Sequence, residues 1–355
     1  MAPDQPDQPD QPDRADLAAN AANAASGRDR LGPAARASLR WESGLGLLVI
    51  AIVIFGAMSS PRFLTTGNFF NTAVTTGEIA IMALPMTLII ISGEIDLSVA
   101  SILGMSSALL GFLWARHWPM LAIFVVVALV GILAGLINGL LVTRVGLPSL
   151  AVTIGTLALY RGVALILLGP NTVSDFPSGY IGIGINPLPG TQIPWNLAIF
   201  VVLAVIFGVV LHFTATGRSI YAMGASPEAA LFAGIRVKRV KTSLYAMSGL
   251  VCALAGVLWT FRLATAVQNN GLGQELAVVA VVLLGGVSIF GGRGTLAGVL
   301  GGVLLLGTLR NALQLADVSA DALTVVTGGL LIVSVVGPNA IRMLRARLRR
   351  PVSQP

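Results

Sequence analysis

Apolar runs separated by short polar breaks fill the chain from residue 43 to residue 337. A bilayer core roughly 30 Å thick takes about 20 apolar residues to cross as a helix. About ten runs approach that length, so the pattern predicts an all-α, polytopic membrane protein with about ten transmembrane helices. The runs are Ser43–Met58, Glu78–Ile91, a third ending near Trp114, Met120–Val142, Ser149–Leu168, Asn196–Phe213, Leu244–Thr260, Glu275–Ile289, Leu296–Leu313 and Leu323–Val336. Thr75 and Glu78 have capping-box spacing and are read as the start of the second helix. A polar break, Ser92–Ser98, separates the second run from the third, and Pro338 is read as the stop of the last helix.

Charge assigns the runs to sides. Arg36, Arg40 and Trp41 precede the first run, as basic and aromatic anchors do at a cytoplasmic entry. Alternation from an inside start then places segment 217–241 and the tail with Arg342, Arg345, Arg347, Arg349 and Arg350 in the cytoplasm, where the basic residues collect. The long segment Gly169–Trp195 has no Lys or Arg and falls outside, as does the short acidic loop with Asp317 and Asp321. Arg62, Arg116, Arg262 and Arg310 are isolated exceptions. Three parts follow: a disordered polar tail over 1–40 that opens PDQPDQPDQPD, a transmembrane domain over 41–340 with a cytoplasmic loop at 217–241, and a basic tail over 341–355. Both termini are expected in the cytoplasm, and no cleavable signal peptide is visible.

Composition agrees with the pattern. The chain is 55% hydrophobic and 10% charged over 355 residues, with a mean hydropathy of +0.86. Soluble domains carry about 25% charged residues. The 41 glycines suit closely approaching membrane helices. A net charge of +7 invites a nucleic-acid reading, but its clustering in cytoplasmic segments points away from one. The lone cysteine, Cys252, excludes an intrachain disulfide, and the two histidines, His117 and His212, have no ligand-like neighbours. No catalytic constellation, metal site or cofactor site is expected. Gly291-Gly292-Arg293-Gly294 lacks Walker spacing, neither Lys238 nor Lys241 follows a glycine, and the turn is read as a tight inter-helix connection.

The charged interruption 217–241 holds a helix too short to stand alone. Ser226 suits an N-cap, Pro227 the first helical position, Glu228 the positive helix end, and Gly234 the left-handed position that ends a helix. Isolated helices shorter than about 12 residues are marginal in water, so this one must pack against something. An interfacial helix lying on lipid is one reading of it.

The spacing Glu228-Ala229-Ala230 to Gly234 resembles the cytoplasmic EAA loop of ABC importer permeases. The longer text SPEAALFAGIRVKRVKTSLYAMSGLVCALAGVL resembles the monosaccharide branch, of ribose and xylose type. So do SGEIDLSVASILGMSSALLG, LPSLAVTIGTLALYRG and VVLLGGVSIFGGRGTLAGVLGG. The stretch LRNALQLADVSADALTVVTGGLLIVSVVGPN is similar to permeases for rhamnose or autoinducer-2. The resemblance implies a non-enzymatic permease subunit in the cytoplasmic membrane of a bacterium that moves a small sugar. It implies a separate ATP-binding cassette subunit touched by Ser226, Pro227, Glu228, Ala229, Ala230 and Gly234. It also implies a second permease, identical or sibling, an extracytoplasmic solute-binding protein, and membrane lipid around the chain. An ion-coupled secondary transporter of a small polar solute is the alternative, and it usually needs ionisable residues deep in helices.

Candidates for the translocation path are Glu94, Asp96, Asn138, Tyr160 and Arg161. Glu94 and Asp96 are two apart and do not share a helix face. Asp96 reads either as a cap of the next helix or, with Glu94, as part of a break lining a water-filled path. The resemblance implies Gly at the position of Glu94, a departure in this chain. Asn138 reads as inter-helix glue or as a ligand, and Arg161 as a snorkelling anchor or a path residue. Tyr160 and Arg161 point in different directions on a helix. Glu275 reads as a first-turn charge at a positive helix end.

Overall fold

The computed structural model describes residues 33–348. The Pro-Asp-Gln tail and the last basic residues, 349–355, lie outside the described residues. Residues 42 onward form one compact unit, and residues 1–41 are counted as another. Regular structure among the described residues is helical, apart from isolated bridges pairing Val173 with Ala266 and Pro187 with Pro194. The all-α expectation holds. Among the described residues, 6 helices are long and apolar enough to cross a membrane, and shorter apolar helices cover Ser43–Ser59, Val99–Trp114, Gln274–Leu284 and Asp321–Ser334.

In chain order the helices are α1 (Pro33–Ser59), α2 (Thr66–Ile91), α3 (Val99–Trp114), α4 (Met120–Leu140, continued by a π-helical turn to Val145), α5 (Ser149–Leu168), α6 (Ser178–Ile185), α7 (Trp195–Phe213), α8 (Ala215–Ala225), α9 (Pro227–Phe232), α10 (Val237–Leu263), α11 (Gln274–Leu284), α12 (Leu296–Leu315) and α13 (Ala320–Leu348). Helix α2 is apolar all round from Ile79 to Ile91, and such helices belong in an interior. It is buried from Gly77 to Ile91 and packs on α10, α7, α11 and α12. Helix α10 lies against α4, α3 and α2 and is the second core helix. By contrast α4 exposes Leu121, Val125, Leu129 and Leu133 at four-residue intervals, a stripe suited to lipid.

Close approach of α4 to α10 rests on Gly131, Gly135 and Gly139, a small residue at every fourth position. A methyl group on Gly139 would sit 2.9 Å from the Thr242 Cα, and one on Gly135 would run into the Tyr245 carbonyl oxygen.

Four boundaries differ from the sequence reading, each for a physical reason. The helix read from Glu78 begins at Thr66, where Thr65 Oγ1 accepts the Asn68 N–H at 3.3 Å. Thr75 lies inside that helix and donates its hydroxyl to the Asn71 carbonyl at 2.9 Å, so the Thr75–Glu78 spacing caps nothing. The helix expected over Glu275–Ile289 stops at Leu284. At about 1.5 Å per residue it spans roughly 16 Å, half of a hydrocarbon core. Helix α1 starts at Pro33, inside the stretch read as a disordered tail. Helix α13 runs through Pro338 to Leu348, as membrane helices can where other groups satisfy the freed carbonyl.

Candidate functional site

The short helix α9 forms as its cap residues specify. Ser226 is extended, with φ −159° and ψ 107°, and its Oγ accepts the Ala229 N–H at 3.3 Å. Pro227 opens the first turn and Glu228 stands within it. At the far end Gly234 takes φ +79°, and the Ile235 N–H reaches back to the Ala230 carbonyl at 3.0 Å, closing the helix in a Schellman-like loop. Ala230 is buried, which fixes the helix to the body. The other face is bare: Leu231 is 56% exposed and Phe232 92%.

Segments that alternation assigns to one face meet beneath this helix. The Gly292 N–H donates to the Ile91 carbonyl at 2.8 Å, and a methyl group on Gly224 would collide with that same oxygen. Tyr221 OH donates to the Gly294 carbonyl at 2.7 Å. Burial pushes the Tyr221 phenol up from its ordinary value. So the break after α2, the end of α8 and the Gly291–Gly294 turn are locked together.

Three of the path candidates join one buried chain of hydrogen bonds. Asp96 Oδ1 accepts from the Ser98 N–H at 2.9 Å and from Ser98 Oγ at 2.6 Å. Asn138 Nδ2 donates to Ser98 Oγ at 2.7 Å. Tyr160 OH shares its one proton between the Ala134 carbonyl at 2.8 Å and Asn138 Oδ1 at 3.3 Å. Asp96 thus braces an Asx-type turn two residues on, while the flanking residue of α3 is Ser98, which makes no side-chain cap. Asn138 and Tyr160 tie α4 to α3 and α5.

Glu94 and Arg161 stand apart from that chain. Glu94 Oε1 pairs with Lys241 Nζ at 2.5 Å, which joins the break after α2 to the first turns of α10. Arg161 donates to the Asn270 carbonyl at 2.7 Å and to the Ala100 carbonyl at 3.2 Å. It therefore points away from Tyr160. It pins residues 264–273, the non-helical stretch between α10 and α11, against the first turn of α3. Asn270 Nδ2 extends this contact to Ser107 Oγ at 2.8 Å, which also accepts from Thr260 Oγ1 at 2.7 Å. Asn270 is thereby buried and paired within protein, while Asn269, Leu272 and Gly273 stay exposed.

Sequence reading missed a further cluster. Arg262 Nε donates to Glu78 Oε1 at 2.7 Å, and Asn196 Nδ2 reaches the same oxygen at 3.3 Å. Glu78 is fully buried, and Arg262, read as an isolated outside charge, stacks 4.6 Å over the Trp259 ring. Nothing local signals this pairing, because the partners are 184 residues apart. Lys241 was missed as the partner of Glu94 for the same reason. Among the described residues, no group of three or more His, Cys, Asp or Glu side chains converges.

The profile of one protein family, described as branched-chain amino acid transport system / permease component, matches residues 68–335. The Autoinducer 2 import system permease protein LsrD of Escherichia coli (strain K12) is 38% identical over 306 residues, covering 84% of this chain and 91% of that protein. Its namesakes in Shigella flexneri and in Escherichia coli O157:H7 match with the same identity and coverage. No solved structure matches the chain significantly.

Proposed function

The chain belongs to the branched-chain amino acid transport system permease family, and from that premise we propose how it works. It is a membrane-embedded permease subunit of an ABC importer, of the monosaccharide and autoinducer-2 kind, in the bacterial inner membrane. In the proposed reading, α9 is the element gripped by a separate ATP-binding cassette subunit, which hydrolyses the ATP. A second permease, identical or sibling, completes the central path. An extracytoplasmic solute-binding protein delivers the solute, a small sugar-like molecule such as autoinducer-2 or rhamnose. The name carried by the 38% identical relatives supports the autoinducer-2 choice.

The carrying observation is a helix capped at both ends with a bare face. Ser226 and Gly234 close α9 at both ends, Ala230 anchors it, and Phe232 is 92% exposed among the described residues. Through Gly224 and Tyr221, force on α9 reaches the Ile91 break and the Gly291–Gly294 turn. A ligand biases a conformational equilibrium only by differential contacts, and this linkage supplies a place for them. Glu228→Lys and Gly234→Val test the reading in vesicles that contain the partner subunits. Both variants should insert normally yet lose ATP-driven uptake; wild-type uptake in both would sink the assignment of α9.

A further inference from the structure

A groove of about 380 Å³ runs between α4 and α10. It exists because the glycine face of α4 seats directly on α10, which leaves an open flank one step round the helix. Ile132, Leu136 and Leu140 line that flank at four-residue intervals, and Arg144 follows at the next interval. Lys238 and Arg239, on the first turn of α10, close the same end. From Ile132 to Arg144 the helix rises about 18 Å, close to one leaflet of a hydrocarbon core roughly 30 Å thick.

Charge states what the groove lacks. Among the described residues the ion pairs are Lys241–Glu94 and Arg262–Glu78. Arg144, Lys238 and Arg239 belong to neither, and all three are exposed. Three cations without acidic partners among the described residues stand at the mouth of an apolar slot, at the end of the molecule that helix alternation assigns to the cytoplasm. We propose that this groove binds an anionic phospholipid of the cytoplasmic leaflet. Arg144, Lys238 and Arg239 hold its phosphate, and one acyl chain lies along Ile132, Leu136 and Leu140. Basic pockets between membrane helices take anionic headgroups on this side of a bilayer. The site sits on the turn of α10 that directly follows the short helix and precedes Lys241.

Native mass spectrometry of the purified full chain tests this with phosphatidylglycerol and phosphatidylcholine of matched acyl chains. The wild type should retain phosphatidylglycerol and release phosphatidylcholine. The Arg144→Gln/Lys238→Gln/Arg239→Gln variant should bind phosphatidylglycerol about a hundredfold more weakly, near fivefold per charge. Leu136→Trp fills the slot with the charges intact, and should also lose the phospholipid, which serves if the triple variant fails to fold. Equal retention of the two lipids, or undiminished phosphatidylglycerol binding in either variant, overturns the proposal. So does efficient cross-linking of two chains through Leu136→Cys, since a second copy would then fill the groove. Inorganic phosphate that competes on equal terms with the phospholipid would overturn the acyl-chain component.

Discussion

Replacing Glu78 or Arg262 should be costly, and replacing both much less so than the sum. The pair sits 2.7 Å apart, with Glu78 fully buried and the Arg262 side chain 13% exposed. At an effective dielectric near 20, Coulomb's law makes their attraction at 2.7 Å about 6 kcal/mol. Desolvation takes back several kcal/mol per ion, so the intact pair adds little net stability. Removing one partner is different, because the other is stranded: about 3–5 kcal/mol is typical. Arg262 keeps an outlet through its exposed edge and the Trp259 ring, so Glu78→Ala belongs at the low end, about 3 kcal/mol. Glu78 keeps only Asn196, so Arg262→Ala belongs near 5 kcal/mol. Denaturant unfolding of the detergent-solubilised protein, run as a double-mutant cycle, should give a coupling of about 3 kcal/mol or more, because the double variant strands neither charge. Additivity within about 0.5 kcal/mol would falsify the reading of an isolated, mutually dependent pair. The same cluster answers the ion-coupled alternative. Glu78→Gln should leave uptake independent of ion gradients, and a gradient dependence abolished by this change would revive that alternative.

The remaining predictions concern packing and linkage. Gly135→Ala should destabilise by about 1–3 kcal/mol, because its methyl meets the Tyr245 carbonyl, whereas Gly155→Ala, with nothing within 4 Å, should be neutral or slightly stabilising; thermal melting in detergent compares them. Tyr160→Phe strands Asn138 Oδ1 and should cost about 1 kcal/mol with the fold retained, and a cost near zero would show that the hydrogen-bond chain carries no energy. Glu94→Lys and Lys241→Glu should each reduce uptake, and the combined swap should restore much of it; no rescue would remove that ion pair from the transport cycle.

Several parts of the fold were readable because their causes are local. The run Ser149–Leu168 agrees with α5 residue for residue, since Pro148 and Gly169 bound it. Helix α9 was readable to its caps, since a hydroxyl, a ring nitrogen and a glycine each satisfy their requirement within a turn. Reading failed where local signals were ambiguous. Thr75 and Glu78 imitate a cap, because capping-box spacing and a mid-helix threonine look alike until the chain upstream is seen to be helical. Residues 264–273 fall between two apolar runs, with no local signal that Arg161 and Asn270 tie them to α3.

From the sequence by itself came the membrane setting, the long apolar helices, an expectation from charge of which end faces the cytoplasm, and the capped helix that interrupts the pattern; the short helices α6 and α8 were absent from that reading. What it held follows from hydrophobic length and from contacts within one turn. Tertiary structure alone decided which charges are paired. Glu94 with Lys241 and Glu78 with Arg262 are 147 and 184 residues apart, so no periodicity or motif connects them. It also decided that Asp96, Asn138 and Tyr160 act as one hydrogen-bonded unit while Arg161, the next residue, serves another. A buried polar group must find its partner in three dimensions, and the sequence records only that it needs one.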